Sequence, residues 1–220
     1  MSFNKINYHK ILNFIENSNK FYKNTTIPSI IAVTKTHSES VVLEAIKAGI
    51  KTFGENRVHE ALIKYKNIKA HHKQIKLHMI GPLQTNKVKN ALEIFDFIHS
   101  LDREKLAMEL IKYINFPFFS NKFFFVQVNT GKEKQKAGIN FDEADGFIKY
   151  CLHDLKLNVI GLMCIPPHND NPTPHFVILK KLAFQNQLQH LSMGMSNDYE
   201  IAIRNGATFI RIGTQLFGDR

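Results

Sequence analysis

The chain has 220 residues, 44% of them hydrophobic, and a formal net charge of +10. That length can bury one substantial core, so a single domain over residues 1–220 is expected. No apolar run approaches the roughly 18 residues that a membrane span needs, and Met1–Lys20 lack the apolar core of a secretory signal and the arginines of a transit peptide. Cys151 and Cys164 have neither metal-ligand nor CxxC spacing, which fits a reducing compartment and a cytoplasmic location. The positive charge invites a nucleic-acid partner, but it is mostly lysine, with five arginines in the chain, and it is scattered rather than gathered on one element. Specific nucleic-acid binding is therefore not expected.

Asn4–Ser18 places Ile6, Ile11, Phe14 and Ile15 near one face and predicts an amphipathic first helix. Ser29–Thr34 is an apolar run behind Pro28, the pattern of a strand buried on both faces, and Lys35 stands where the run stops. Thr36 and Glu39 have capping-box spacing ahead of a helical stripe of Val41, Val42, Ala45 and Ile46, which Gly49 ends. A short strand at Lys51–Phe53 leads to Gly54-Glu55-Asn56 and a helix over Arg57–Tyr65. Lys64–Lys76 reads as a polar, basic connection.

Further strands are predicted at Leu77–Ile80, Phe97–Ser100, Phe123–Val128, Val159–Met163, His190–Ser192 and Thr208–Ile212. Helices are predicted between them at Asn86–Ile94, Asp102–Ile114, Asp142–Cys151, Pro174–Gln189 and Asn197–Asn205. Eight strands alternating with helices, after one extra helix at the start, predict an α/β fold: a (β/α)8 TIM barrel. An open doubly wound sheet is disfavoured because no glycine-rich dinucleotide turn follows the first strand.

Chemistry in such barrels gathers at the C-terminal strand ends. Lys35 sits at the first of these, at the lip of an apolar interior that could desolvate its amine. Ser192-Met193-Gly194-Met195-Ser196 and Gly213-Thr214 follow the last two strands, and each leads toward a helix N-terminus suited to an anion. Here Gly194 would let the backbone approach a phosphate and the Ser196 hydroxyl would add a hydrogen bond. Arg211 alternates with Ile210 and Ile212 and so faces the interior, where it needs either an ion pair with Glu55 or a ligand's acceptor atom. A lysine amine, a phosphate cradle and an interior arginine together specify pyridoxal 5′-phosphate (PLP). The lysine would form a Schiff base, and the always-protonated arginine would donate to the ring nitrogen and leave a weak electron sink.

The segments Ala32-Val33-Thr34-Lys35, Phe53-Gly54-Glu55-Asn56, His78–Lys87, Gln127-Val128-Asn129, Gly161-Leu162-Met163, Leu191–Ser196 and Arg211-Ile212-Gly213-Thr214 span nearly the whole chain. As a set, in this order, they resemble the YggS/PROSC group of PLP-binding proteins, the PLP homeostasis proteins. The resemblance implies a barrel like the N-terminal domain of alanine racemases, with PLP on Lys35. It further implies phosphate contacts near Ser196, Gly213 and Thr214, with Met193 and Gly194 beside them, a ring-nitrogen contact from Arg211, and Asn56 lining the pocket. It also implies a role in binding, buffering or delivering PLP, with apo forms of PLP-dependent enzymes as candidate recipients, and no robust turnover.

The competing enzyme reading is an amino-acid racemase, which needs acid/base groups on both faces of the bound substrate. Lys35 could be one. No tyrosine falls at a predicted strand end, and the sequence ends at Arg220, soon after the last strand, so the domain that supplies the second base in racemases is not expected. A monomeric carrier is the expected form.

Overall fold

The computed structural model describes residues 2–22, 26–133 and 135–218, and in it the predicted apolar runs become neighbouring parallel strands. These are β1 (Ser29–Val33), β2 (Thr52–Glu55), β3 (Lys76–Met79), β4 (Phe97–Leu101), β5 (Phe123–Asn129), β7 (Val159–Met163), β8 (His190–Met195) and β9 (Phe209–Ile212). A two-residue strand, β6 (Ile139–Asn140), pairs with the end of β5. The order β4-β3-β2-β1-β9-β8-β7-β5 is closed by pairing of β4 with β5, which makes an eight-stranded parallel barrel.

Helices α1 (Lys5–Tyr22), α2 (Glu39–Lys47), α3 (Val58–His71), α4 (Val88–Ile94), α5 (Glu104–Ile114), α6 (Phe141–Lys149), α7 (Pro172–Gln185), α8 (Tyr199–Arg204) and α9 (Thr214–Phe217) surround it. The extra first helix packs on α8 and α9, and the Asn4 amide donates to the Leu216 carbonyl.

Alternation along each strand divides the side chains between two cores. Ile30, Ala32, Phe53, Leu77, Phe124, Leu162 and Ile210 point outward and join the apolar layer under the helices. The inward set is aromatic: Phe209 makes ring contacts with His78, Phe97, His99, Phe125 and His190, from β3, β4, β5 and β8. His78 stacks on Phe97 and His99 on Phe125, each with centroids 4.1 Å apart.

Several boundaries differ from the sequence reading. Thr36 does not cap α2; Ser38 is the residue before that helix and makes no side-chain cap bond, while Thr36 adopts a left-handed φ of 66°. Helix α3 continues through the predicted basic connection to His71, because Lys64, Tyr65 and Ile68 are buried along it. Helix α7 starts at Pro172, behind the Asn171 cap, and ends at Gln185. Residues 186–189 form the turn into β8, which begins at His190 as expected and runs past Ser192 to Met195.

Strands β7 and β8 touch where only glycine fits. A Cβ on Gly161 would lie 2.2 Å from the His190 carbonyl oxygen, and backbone cannot yield as a side chain can. Gly161→Ala is expected to cost about 1–3 kcal/mol of stability, the range for overpacking, read as a lower urea midpoint at unchanged m-value.

Candidate functional site

The C-terminal strand ends enclose a cavity of about 810 Å³. Of the eight residues singled out in the sequence, it brings together Lys35, Asn56, Ser196, Arg211, Gly213 and Thr214. Lys35 is half-buried at the end of β1, beside Val33, and Asn56 follows β2. Gly81 is shaped by Asn56: a Cβ there would lie 2.5 Å from the Asn56 carbonyl oxygen, so the tight turn after β3 needs glycine.

Met193 and Gly194 do not line the cavity. Met193 alternates outward and is fully buried in the layer between barrel and helices. Gly194, at φ 91°, makes room for α8 rather than for a ligand, since a Cβ there would lie 2.5 Å from Ala202 Cβ.

The cradle after β8 is also less simple than a bare helix end. Helix α8 has six residues, and its preceding residue, Asp198, places a carboxylate at the turn, accepting the Met195 amide at 2.6 Å. Ser196 and Asn197 line the cavity ahead of it. Gly213 and Thr214 open the one-turn helix α9, whose first amides have no acceptor within the helix. The two loops are tied together by Gln215, whose side-chain amide donates to the Ser196 carbonyl at 2.6 Å.

Arg211 is 4% exposed and does not pair with Glu55. Its guanidinium donates to the Ser192 carbonyl (2.7 Å), Ser192 Oγ (2.9 Å) and the Cys164 carbonyl (2.9 Å). Among the described residues no carboxylate lies within ion-pair distance of it, and burial pulls its pKa below the usual arginine value. Glu55 instead faces outward toward α3, where it accepts from Lys64 Nζ at 2.8 Å and from Thr34 Oγ1 at 2.8 Å. Strand parity explains the outcome: Glu55 and Arg211 occupy opposite sides of the barrel wall.

From Arg211 a hydrogen-bonded chain crosses the interior. Ser192 Oγ meets His99 Nδ1 at 2.9 Å, and His99 Nε2 meets His78 Nδ1 at 2.8 Å. An arginine can only donate, so Ser192 Oγ accepts from it. In the arrangement where each proton finds an acceptor, the single hydroxyl hydrogen goes to His99 Nδ1, which places the next proton on His99 Nε2, donated to His78. Both imidazoles are neutral in this arrangement. Burial pushes the His78 pKa down to about 3 and holds that of His99 well below the usual histidine value.

The sequence reading missed these histidines as functional residues. Their signal was a polar ring at an inward position of an otherwise apolar strand. It also missed a wall of the cavity, the loop Ile165–Asp170, and the rim residue His37.

The fold and site define a parallel barrel with a lysine at the end of its first strand and, on its last, an interior arginine with no carboxylate partner among the described residues. A family model, the alanine racemase N-terminal domain, matches residues 11–220. PipY of Synechococcus elongatus, solved without PLP, superposes with a TM-score of 0.80 at 32% identity, over 93% of this chain and 100% of that one. Its PLP-bound structure gives 0.76 at 31% identity over the same shares. A pyridoxal phosphate homeostasis protein of Aquifex aeolicus is 41% identical over 203 residues, 87% of this chain and 86% of that protein. The chain belongs to the alanine racemase N-terminal domain family and, within it, to the pyridoxal phosphate homeostasis proteins. No helix among the described residues is long and apolar enough to cross a membrane.

The neutral histidines give a pH expectation. Their folded pKa values lie below the unfolded one, so the unfolded chain takes up protons that the folded chain refuses. Their contribution is complete above about pH 6.5 and declines as pH falls, for His78 by roughly 1.4 kcal/mol per unit down to its folded pKa of about 3, with His99 acting in the same direction. Tm should therefore fall between pH 6.5 and 4.5, before most carboxylates titrate, and His78→Phe should flatten that slope.

Proposed function

We propose that this protein binds pyridoxal 5′-phosphate in the cavity at the C-terminal end of the barrel and acts in PLP homeostasis, holding and releasing the cofactor rather than turning over a substrate. The observation that carries this reading is Arg211, a buried cation without a carboxylate partner, in the same cavity as Lys35. A ligand supplying an acceptor atom to the guanidinium and an aldehyde to the amine fits both groups. The relatives' names and the PLP-bound PipY structure support the same ligand.

In this reading Lys35 would hold PLP through its aldehyde carbon, and Arg211 would donate to the ring nitrogen. Ser196, Gly213 and Thr214 would receive the phosphate at the joined loops after β8 and β9, and Asn56 would line the pocket beside the ring. PLP supplies an electrophilic carbon and an electron-withdrawing ring. Arg211 limits that withdrawal, because it is a donor that does not give up its proton to the pyridine.

Met193 and Gly194 are assigned to the support of the β8 turn instead of to contact. A carrier role is favoured over racemisation because no tyrosine lines the cavity among the described residues. The tyrosine expected to supply the second acid/base group therefore has no counterpart among the described lining residues. We further propose one cytoplasmic, monomeric unit spanning residues 1–220, which would exchange PLP with apo forms of PLP-dependent enzymes.

Purified protein mixed with PLP should develop the visible absorbance band of a lysine Schiff base, and borohydride should fix the label on the Lys35 peptide. Lys35→Ala should abolish both; an undiminished band in that variant would exclude Lys35 as the attachment point. In heavy water, loaded protein should exchange the α-proton of L-alanine no faster than free PLP does. Faster exchange would favour the racemase reading.

A further inference from the structure

Lys64 is a second unusual lysine, and it lies on the other side of the wall. It is 8% exposed, on the first half of α3, and outside the cavity. Its ammonium has three donors and three acceptors: the Thr34 carbonyl at 2.7 Å, Glu55 Oε1 at 2.8 Å and Glu60 Oε1 at 2.9 Å.

The acceptors are not arbitrary neighbours. Thr34 and Thr36 flank Lys35 in the chain, and Lys64 fixes both. It binds the Thr34 carbonyl directly and reaches Thr36 through Glu60, whose Oε1 also accepts the Thr36 amide. Glu55 immediately precedes Asn56, so the same ammonium anchors the end of β2.

The backbone needs such anchoring at this point. Strand β1 ends at Val33, and Thr36 turns through a left-handed φ of 66°, a conformation that a β-branched residue keeps only where its surroundings impose it. The Thr34 side chain is held too, donating to Glu55 and accepting from Tyr65 OH at 2.6 Å. All of these partners sit between the barrel wall and α3, leaving the inner side of the same segment to Lys35 and Asn56.

We propose that Lys64 is the positioning residue for Lys35: one ammonium locks the ends of β1 and β2 from outside the barrel and so fixes how the Lys35 amine enters the cavity. The functional meaning rests on the PLP reading above, but the positioning itself does not. Glu60 is the relay to the far side of Lys35, and it can be removed with little disturbance because it is part-exposed, at 26%.

The test compares Glu60→Ala, Lys64→Met and Lys64→Arg with the wild type. The remote core variant Leu110→Ala serves as a control for lost stability. Each sample is labelled at its lysines with trinitrobenzenesulfonate across a pH series, the Lys35 peptide is quantified, and Tm is measured in parallel. Loss of a supporting contact of this kind should change Lys35 labelling by about tenfold. Exposed Lys132 should stay within about twofold in each variant. Lys64→Arg, which keeps a cation, should restore most of the wild-type profile.

The proposal is overturned if folded Glu60→Ala and Lys64→Met label Lys35 as the wild type does, or if Leu110→Ala produces the same change at a matched loss of Tm. Should Lys64→Met not fold, Glu60→Ala decides alone. The same samples are titrated with PLP. A wild type that labels at Lys35 but takes up no PLP defeats the cofactor reading and leaves the labelling result to judge Lys64.

Discussion

Arg211 takes a positive charge into the interior of a barrel, where an ion loses its water and the effective penalty is several kcal/mol unless partners replace it. Most buried arginines meet a carboxylate; this one meets two carbonyl oxygens and a serine hydroxyl. Neutral acceptors satisfy the hydrogen-bonding geometry without cancelling the charge. The guanidinium therefore keeps its charge at the cavity wall, where a ligand's acceptor atom can meet it. The glutamate that could have neutralised the charge is turned through the wall to Lys64, and strand parity keeps it there.

The partners of Arg211 have partners of their own, and this limits what the site can do to a ring nitrogen. In the arrangement where each proton finds an acceptor, Ser192 accepts from Arg211 and donates to His99, and His99 donates to His78. Each proton is used in a direction that leads away from the cavity. A neutral chain of this kind can orient a guanidinium but has no spare proton to deliver, and both histidines are too deeply buried to charge near neutrality. The interior histidines and the aromatic layer they stack in thus serve the same end as the missing carboxylate: the arginine stays fixed, charged and a donor.

What could be read from the sequence follows from which signals are local. Strands buried on both faces announce themselves as apolar runs, so Ser29–Val33 and Phe123–Asn129 were legible, as was the alternation that sent Arg211 inward. Lys35 was legible by position, at the end of the first such run. Ser196 lines the cavity and Met193 and Gly194 do not, a division the phosphate-loop pattern could not give because it does not say which residue faces in. Lys64 was read as part of a solvated basic stretch, the ordinary fate of a lysine among Tyr65, Lys66 and Lys69. Its burial depends on three acceptors from residues 34, 55 and 60, and no local pattern announces that they converge.

The two lysines illustrate how burial rather than identity decides a side chain's role. Lys64 meets three acceptors within 2.9 Å, two of them carboxylate oxygens, so all three of its N–H donors are committed to the wall. Lys35 extends from the same wall on its inner side, toward the cavity that Arg211, Asp170 and Asp198 also line. Under the proposed function, the lysine on the inner side holds the ligand and the lysine on the outer side holds the strand ends that present it, so one stretch of wall divides binding from support.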